Sequence, residues 1–200
     1  RQAPNVILVG EIRDLDVATV AIQAALTGHL VFSTLHTNDA PSAITRLIDI
    51  GVKPFLVASS IQAVLAQRLV RILCESCKQP EPEPNPRLVR LCGLKPEDIA
   101  ATQLFKSKGC KKCSGTGYKG RKGIYELMVM DTQLRDMAFK LAPLNQIRDA
   151  AIAGGMRNLL GDGKLKILDG VTTLEELARM AQADGLSDDE AEPEAAGDAA

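Results

Sequence analysis

The sequence predicts an α/β domain that carries a four-cysteine metal knuckle and continues into a helical C-terminal part. Three observations predict it. Short β-branched apolar runs alternate with helical periodicity over the first 73 residues. Two C-x-x-C pairs, Cys74/Cys77 and Cys110/Cys113, follow. Beyond residue 123 one more strand pattern precedes mostly helical sequence.

The first run, NVILVG (5–10), reads as a fully buried strand of a parallel sheet, with Pro4 before it and Glu11 after it. A helix is expected from Asp14 to Gly28. Asp14 or Asp16 can cap it, Val17, Val20, Ala21, Ala24 and Ala25 recur at helical spacing, and Gly28 fits the position just past its end. LVFSTL (30–35) reads as a second strand. Asn38 or Asp39 can cap the next helix, with Pro41 in its first turn and Gly51 at its end. Its apolar face is Ala43, Ile44, Leu47 and Ile48. Residues 55–73 read as one longer helix opened by Pro54.

Composition changes at Cys74. QPEPEPNPR (79–87) has Pro at every second position, which predicts a stiff extended connector. Helical turns are expected at 88–91 and 96–101, and loop around the second cysteine pair. GIYELMVM (123–130) reads as a strand returning to the first domain. A helix starting near Asn145 ends at Gly154–Gly155, and another contains Lys164 to Leu168. Thr173 and Glu176 have the spacing of a capping box, in which each side chain bonds the other's backbone N–H. The implied organisation is 1–73 as the first α/β unit, 74–122 as the metal-binding unit, 123–184 as the returning strand with helices, and 185–200 as an acidic disordered tail.

Bulk properties narrow the function classes. Aromatic residues make up 3% and Trp is absent, which argues against a nucleic-acid reader built on base stacking. The net charge of −1 conceals an asymmetry. Without the six acids of 187–200, 19 acids face 24 Lys and Arg, and this basic surplus suits either an anionic partner or an ordinary surface. No apolar run is long enough to span a bilayer, and no signal peptide opens the chain. Beginning at Arg1 without Met, the sequence reads as a piece cut from within a larger domain.

C-x-x-C puts two thiolates on one tight turn, and two such turns give the tetrahedral sulfur set that suits Zn²⁺. The 32 residues between the pairs do not veto the site. Loop closure costs about 0.6 kcal/mol per doubling of length, against about 10 kcal/mol or more for structural zinc binding. A redox dithiol, an iron–sulfur site and unrelated buried thiols are the alternatives. Lys111, Lys112 and Gly115 favour exposed knuckles. Cys92 has no partner and reads as a small core residue.

Glu11 directly follows the first strand, where open α/β sheets bind ligands. A carboxylate there can orient or deprotonate a water attacking a γ-phosphate, or hold Mg²⁺ through water. It can equally be a surface acid paired with Arg13. The second strand runs into Ser33, Thr34 and His36, which suit the same edge. His36 can also be a structural histidine. Arg13, Arg46, Arg68 and Arg71 are candidate phosphate or intersubunit ligands, or a solvated face. The phosphate-loop pattern G-x-x-x-x-G-K-[ST] is absent from the 200 residues.

Taken in order, VILVGEIRD, TGHLVFSTLHTND, AITRLIDIG, LAQRLVR, the two C-x-x-C pairs and GYKGRKGIYELM resemble the hexameric traffic ATPases of type II secretion and type IV pilus assembly. The resemblance spans residues 1 to about 184. It implies a partial RecA-like P-loop NTPase domain, with Val6 to Glu11 as the Walker B segment and Glu11 as the catalytic carboxylate. His36 falls in the family's histidine box, which senses the γ-phosphate, and Arg68 and Arg71 approach nucleotide. The cysteines imply the zinc loop of the export and assembly branch. Also implied are ATP, Mg²⁺ and Zn²⁺, a homo-hexamer, an inner-membrane platform partner and a cytoplasmic place at the inner membrane. No nucleic-acid partner is expected. The segments missing relative to the family are the N-terminal docking domains, the first half of the RecA-like domain with its phosphate loop, and the acidic box. The 200 residues alone are expected not to turn over ATP. A zinc-stabilised docking module without catalysis and a DNA-processing RecA relative are the competing readings.

Overall fold

A computed structural model describes residues 4–183 of the chain. The acidic segment 185–200 expected to be disordered lies outside the described residues. The chain divides into two units. Unit 1 comprises Arg1–Arg68 and Gly123–Asp162; unit 2 comprises Leu69–Lys122 and Gly163–Ala200.

Unit 1 begins with β1 (Val6–Val9), α1 (Leu15–Leu26) and β2 (Leu30–Ser33). β1 and β2 pair in parallel, Val6 opposite Leu30 through Val9 opposite Ser33. The helix between them is the crossover that parallel strands require. Asp14 caps α1 by accepting the Val17 N–H at 2.9 Å, a local bond that fixes where the helix starts. Gly28 follows the helix with φ +98°, a left-handed conformation open to glycine without Cβ strain.

Two expectations fail here. β1 is not fully buried. Only one face of the strand pair is covered by described elements, so Val6, Leu8, Leu30 and Phe32 all stay at least half exposed. The inner face of α1 is Ala18, Ala21 and Ile22, while Val20 points outward at 65% exposure. Small alanines facing inward let α1 approach β2 and leave the bulkier valine outside.

Next come α2 (Pro41–Asp49) and α3 (Pro54–Ser60). The expected helix over 55–73 is overturned: α3 stops at Ser60, and 63–73 form a strand, β3 (Ala63–Leu73). Its apolar residues Val64, Leu65, Leu69, Val70, Ile72 and Leu73 fit both periods. Pairing with a later strand resolves the ambiguity in favour of the β-branched residues' preference. β6 (Tyr118–Val129) is longer than the expected 123–130 and takes in part of the glycine-rich stretch expected as loop. The boundary between units falls within both strands.

α6 (Thr132–Phe139) and α7 (Leu144–Ala153) complete the unit 1 helices, with the first turn of α8 (Leu159–Leu168). The core joins Ala18, Ile44, Leu47, Val57, Met128, Leu134 and Ile147. α3 packs on α6, and α2 on α7.

Unit 2 holds the ends of β3 and β6, a short antiparallel pair β4 (Gln79–Pro80) and β5 (Phe105–Lys106), and two small helices, α4 (Pro86–Leu91) and α5 (Pro96–Ala101). The proline-rich connector is thus extended only until Pro86, which opens α4 as a favoured first-turn residue. α9 (Leu174–Ala183) packs on α4. The expected capping box at its start is half formed: the Thr173 hydroxyl accepts the Glu176 N–H at 3.2 Å. The Glu176 carboxylate instead accepts from the Arg71 backbone N–H (3.1 Å) and from the Arg71 and Arg179 guanidinium groups.

Candidate functional site

Parallel pairing brings the C-terminal ends of β1 and β2 to one edge. The continuing chains zip together there: the Ile12 N–H donates to the Thr34 carbonyl at 2.9 Å, and the Thr34 hydroxyl to the Gly10 carbonyl at 2.8 Å. These bonds set Glu11 and His36 side by side. The carboxylate accepts from His36 Nε2 at 3.0 Å and is also ion-paired with Arg13. The pairing with Arg13 read from the sequence is therefore present, with His36 on the other carboxylate oxygen. The Arg13 bond, followed by the His36 bond, holds the Glu11 pKa below its ordinary value. The acid is ionised at neutral pH and reaches solvent, as does His36, 83% exposed. An ionised carboxylate beside an imidazole at an open strand edge can orient water and exchange protons with it.

Further bonds hold the loop that carries His36. Thr37 donates to the Asp39 carbonyl at 3.1 Å, and Asn38 accepts from Arg68 at 3.0 Å. Asp39 accepts the Ser42 N–H at 2.8 Å, which makes it the side-chain cap of α2, and it also pairs with Arg148 at 2.7 Å. Burial raises the Asp39 pKa, but the Ser42 and Arg148 bonds prevail and lower it. The Ala40 N–H donates to Glu126 at 2.7 Å.

Arg68 therefore sits on β3, beside the His36 loop. Arg71 belongs to unit 2, where it holds Glu176 and lies over the Tyr118 ring, 4.1 Å from its centroid. Arg46 is exposed on α2. Sequence reading missed Glu126 and Arg148. Glu126 had a signal: it alternates with Ile124, Met128 and Met130, and so occupies the buried face of β6.

Unit 2 gathers Cys74, Cys77, Cys110 and Cys113, whose four Sγ atoms all lie within 4.8 Å of one another. Cys74–Cys110 is 3.9 Å, Cys77–Cys113 3.8 Å and Cys110–Cys113 3.7 Å. Sulfurs about 2.3 Å from a central zinc in a tetrahedron lie about 3.8 Å apart. The set thus fits one tetrahedral ion, and its chemistry is compatible with zinc. The turns supply further support. The Cys110 and Gly117 N–H groups donate to Cys113 Sγ at 3.1 and 3.2 Å. Burial raises the Cys113 pKa, but these donors outweigh it and bring the thiol down to about 6, favouring the thiolate that binds metal. Gly117, at φ +79°, packs so closely on Ser107 that a Cβ would clash, so the turn requires glycine twice over. Cys92 stands apart, buried with its thiol on the Leu174 carbonyl, and burial pushes its pKa up to about 12.

Among the described residues no helix is long and apolar enough to cross a membrane. The family model of the type II/IV secretion system proteins matches residues 1–179. The chain is 49% identical over 177 residues to the type IV pilus assembly ATPase PilB of Thermus thermophilus, covering 88% of this chain and 20% of that protein. It is 47% identical over 180 residues to the type II secretion system protein E of Pseudomonas aeruginosa, covering 90% of this chain and 35% of that one. It thus spans about a fifth to a third of these relatives' lengths. The solved structure of the Legionella pneumophila ATPase DotB overlays with a TM-score of 0.60 over 91% of this chain and 40% of its own, at 19% identity, a likeness of fold. Mixed α/β architecture, motif order and these matches agree: the chain belongs to the type II/IV secretion system protein family.

Proposed function

We propose that this chain is the C-terminal portion of a hexameric ATPase motor that powers type II protein secretion or type IV pilus assembly. The observation that carries the reading is the meeting of Glu11 and His36 at two adjacent parallel strand ends. In a RecA-like domain this edge faces nucleotide. Glu11 is the carboxylate that orients the attacking water, and His36 contacts the γ-phosphate. Arg68 supports the loop that carries His36 through its bond to Asn38; Arg71, which the resemblance would bring to nucleotide, is engaged within unit 2 by Glu176. Mg²⁺, when bound, would supply charge neutralisation at the phosphates, and Glu11 would be the residue to hold it through water. Zn²⁺ held by Cys74, Cys77, Cys110 and Cys113 is structural, since all four ligands are protein. The partners are further copies of the chain and an inner-membrane platform protein, and the place of work is the cytoplasmic side of that membrane. Similarity to relatives named as pilus assembly and secretion ATPases supports this reading.

The 200 residues lack a phosphate-loop sequence, so the test restores one. Residues 1–179 replace the matching segment of the Thermus thermophilus relative, and ATP hydrolysis is measured. The graft hydrolyses ATP, and Glu11→Gln lowers the rate by about 10²-fold or more. The 200-residue chain alone hydrolyses none. A Glu11→Gln graft as active as its parent overturns the reading and leaves a zinc-stabilised docking module. Salt-dependent DNA binding by the graft would instead point to a DNA-processing relative.

A further inference from the structure

Glu126 is a carboxylate on an otherwise apolar strand face, with 2% of the residue exposed. Among the described residues, no cationic side chain is hydrogen-bonded to it. Its two oxygens divide between two helix starts: Oε1 accepts the Ala40 N–H at 2.7 Å, and Oε2 accepts the Leu159 N–H at 3.3 Å. Helix N-termini carry unsatisfied N–H groups and partial positive charge, so one acid satisfies both ends. Ala40 lies four residues after His36, at the point where the loop becomes α2. One residue earlier, Asp39, 5% exposed, is clamped by Arg148 of α7. The loop's far end is therefore pinned from two elements distant in sequence, β6 and α7. Its near end is pinned to Gly10 and Glu11.

Burying a carboxylate is costly, and an apolar residue at 126 would pack the same strand face without that cost. A role in positioning gives the acid its reason. His36 itself is exposed, and among the described residues its side-chain bond is the one to Glu11. Its placement must come from the backbone on either side.

We propose that Glu126 and Arg148 are positioning residues for the His36 loop: through Ala40 and Asp39 they hold His36 in register with Glu11. This rests on the reading of Glu11 and His36 as the hydrolytic edge. Displacing a catalytic group by about 1 Å can cost up to about 10²-fold in rate without changing what binds.

Two measurements test it. In the 200-residue chain, hydrogen exchange reads the Ala40 and Leu159 amides, and NMR cross-relaxation reads the proximity of the His36 ring to Glu11. Glu126→Ala is expected to deprotect both amides and weaken the His36–Glu11 cross-peaks. Cross-peaks unchanged in a folded Glu126→Ala chain overturn the proposal, whatever the activity. In the graft, Glu126→Ala lowers kcat about tenfold with KM for ATP within about twofold. Glu126→Gln, which keeps an oxygen for Ala40, recovers part of the loss. A folded Glu126→Ala graft with parental kcat, alongside an inactive Glu11→Gln graft, overturns the positioning role and leaves the hydrolytic edge standing. Should Glu126→Ala not fold, Arg148→Ala carries the test on the same two readouts. Arg148 is 39% exposed by side chain, so its loss leaves the core packed.

Discussion

Unit 1 and unit 2 each bury a glutamate, and they stabilise it in opposite ways. Glu176 of unit 2, 1% exposed by side chain, is gripped by Arg71 and Arg179. Burial raises its pKa, but the arginine bonds outweigh burial, and the pKa falls below its ordinary value of 4.5. Among the described residues, Glu126 of unit 1 is hydrogen-bonded by backbone N–H donors, with Asp39 as a nearby like charge and Arg148 as a nearby opposite one. Burial dominates there, and its pKa rises above 4.5. The same contrast holds for the candidate sites. The four cysteines of unit 2 turn inward on one centre and need nothing from solvent. Glu11 and His36 of unit 1 face outward, and their placement depends on bonds made behind them. A closed site can be built from its own ligands, whereas the proposed hydrolytic edge would have to stay open to nucleotide and, under the positioning proposal, relies on buried groups beneath it.

The largest expected effect separates the units outright. Protein purified without added metal should carry about one zinc per chain, and Cys110→Ser/Cys113→Ser should lose it. Structural zinc binding is worth about 10 kcal/mol or more, so hydrogen-exchange protection of unit 2 amides should collapse while α1 and α3 amides keep theirs. Protection of unit 2 unchanged in the metal-free variant would break the comparison. Next in size, Glu176→Ala leaves two guanidinium groups without their shared acid and should cost about 3 kcal/mol in denaturant unfolding, read by the Tyr118 signal. A loss below 1 kcal/mol would mean that Arg71 and Arg179 rehydrate freely.

The pH dependence sharpens the contrast between the two acids. Glu176, with its lowered folded pKa, contributes stability that is present above 4.5 and lost as pH falls through the folded value. Glu126, with its raised pKa, acts with the opposite sign: its contribution is full below 4.5 and declines as pH rises through the folded value. Relative to the parent, Glu176→Gln should flatten the loss on acidification, and Glu126→Gln should flatten the decline above pH 4.5. Parallel curves for either variant and its parent would remove that acid from the account. The smallest effect is local. Asp14→Ala should cost about 1 kcal/mol by leaving the first turn of α1 uncapped, seen as faster exchange of the Val17 amide.

What the sequence reveals here follows the range of the interactions. Caps and turns were readable because a few neighbouring residues decide them: Asp14 with Val17, and Gly28 after α1. The cysteine cluster was readable from two tight turns whose thiols have few alternatives. Residues 55–73 were misread because their apolar residues suit either period, and a pairing partner more than 40 residues on settles the matter. Glu126 belongs to no motif, although its alternation with Ile124 and Met128 places it on the buried face.

By itself the sequence determined the α/β alternation, the helix caps, the two cysteine turns and the order of motifs that marks the family. These rest on local dihedral preferences and on residue chemistry at fixed short spacing. Tertiary structure alone decided that 63–73 are a strand, that Glu176 serves Arg71 rather than the Thr173 N–H, and that Glu126 and Arg148 close on the His36 loop. Each of these is a contact between residues 86 to 109 positions apart or a pairing choice between distant strands, and a buried charge chooses its partner by what the fold brings within about 3 Å.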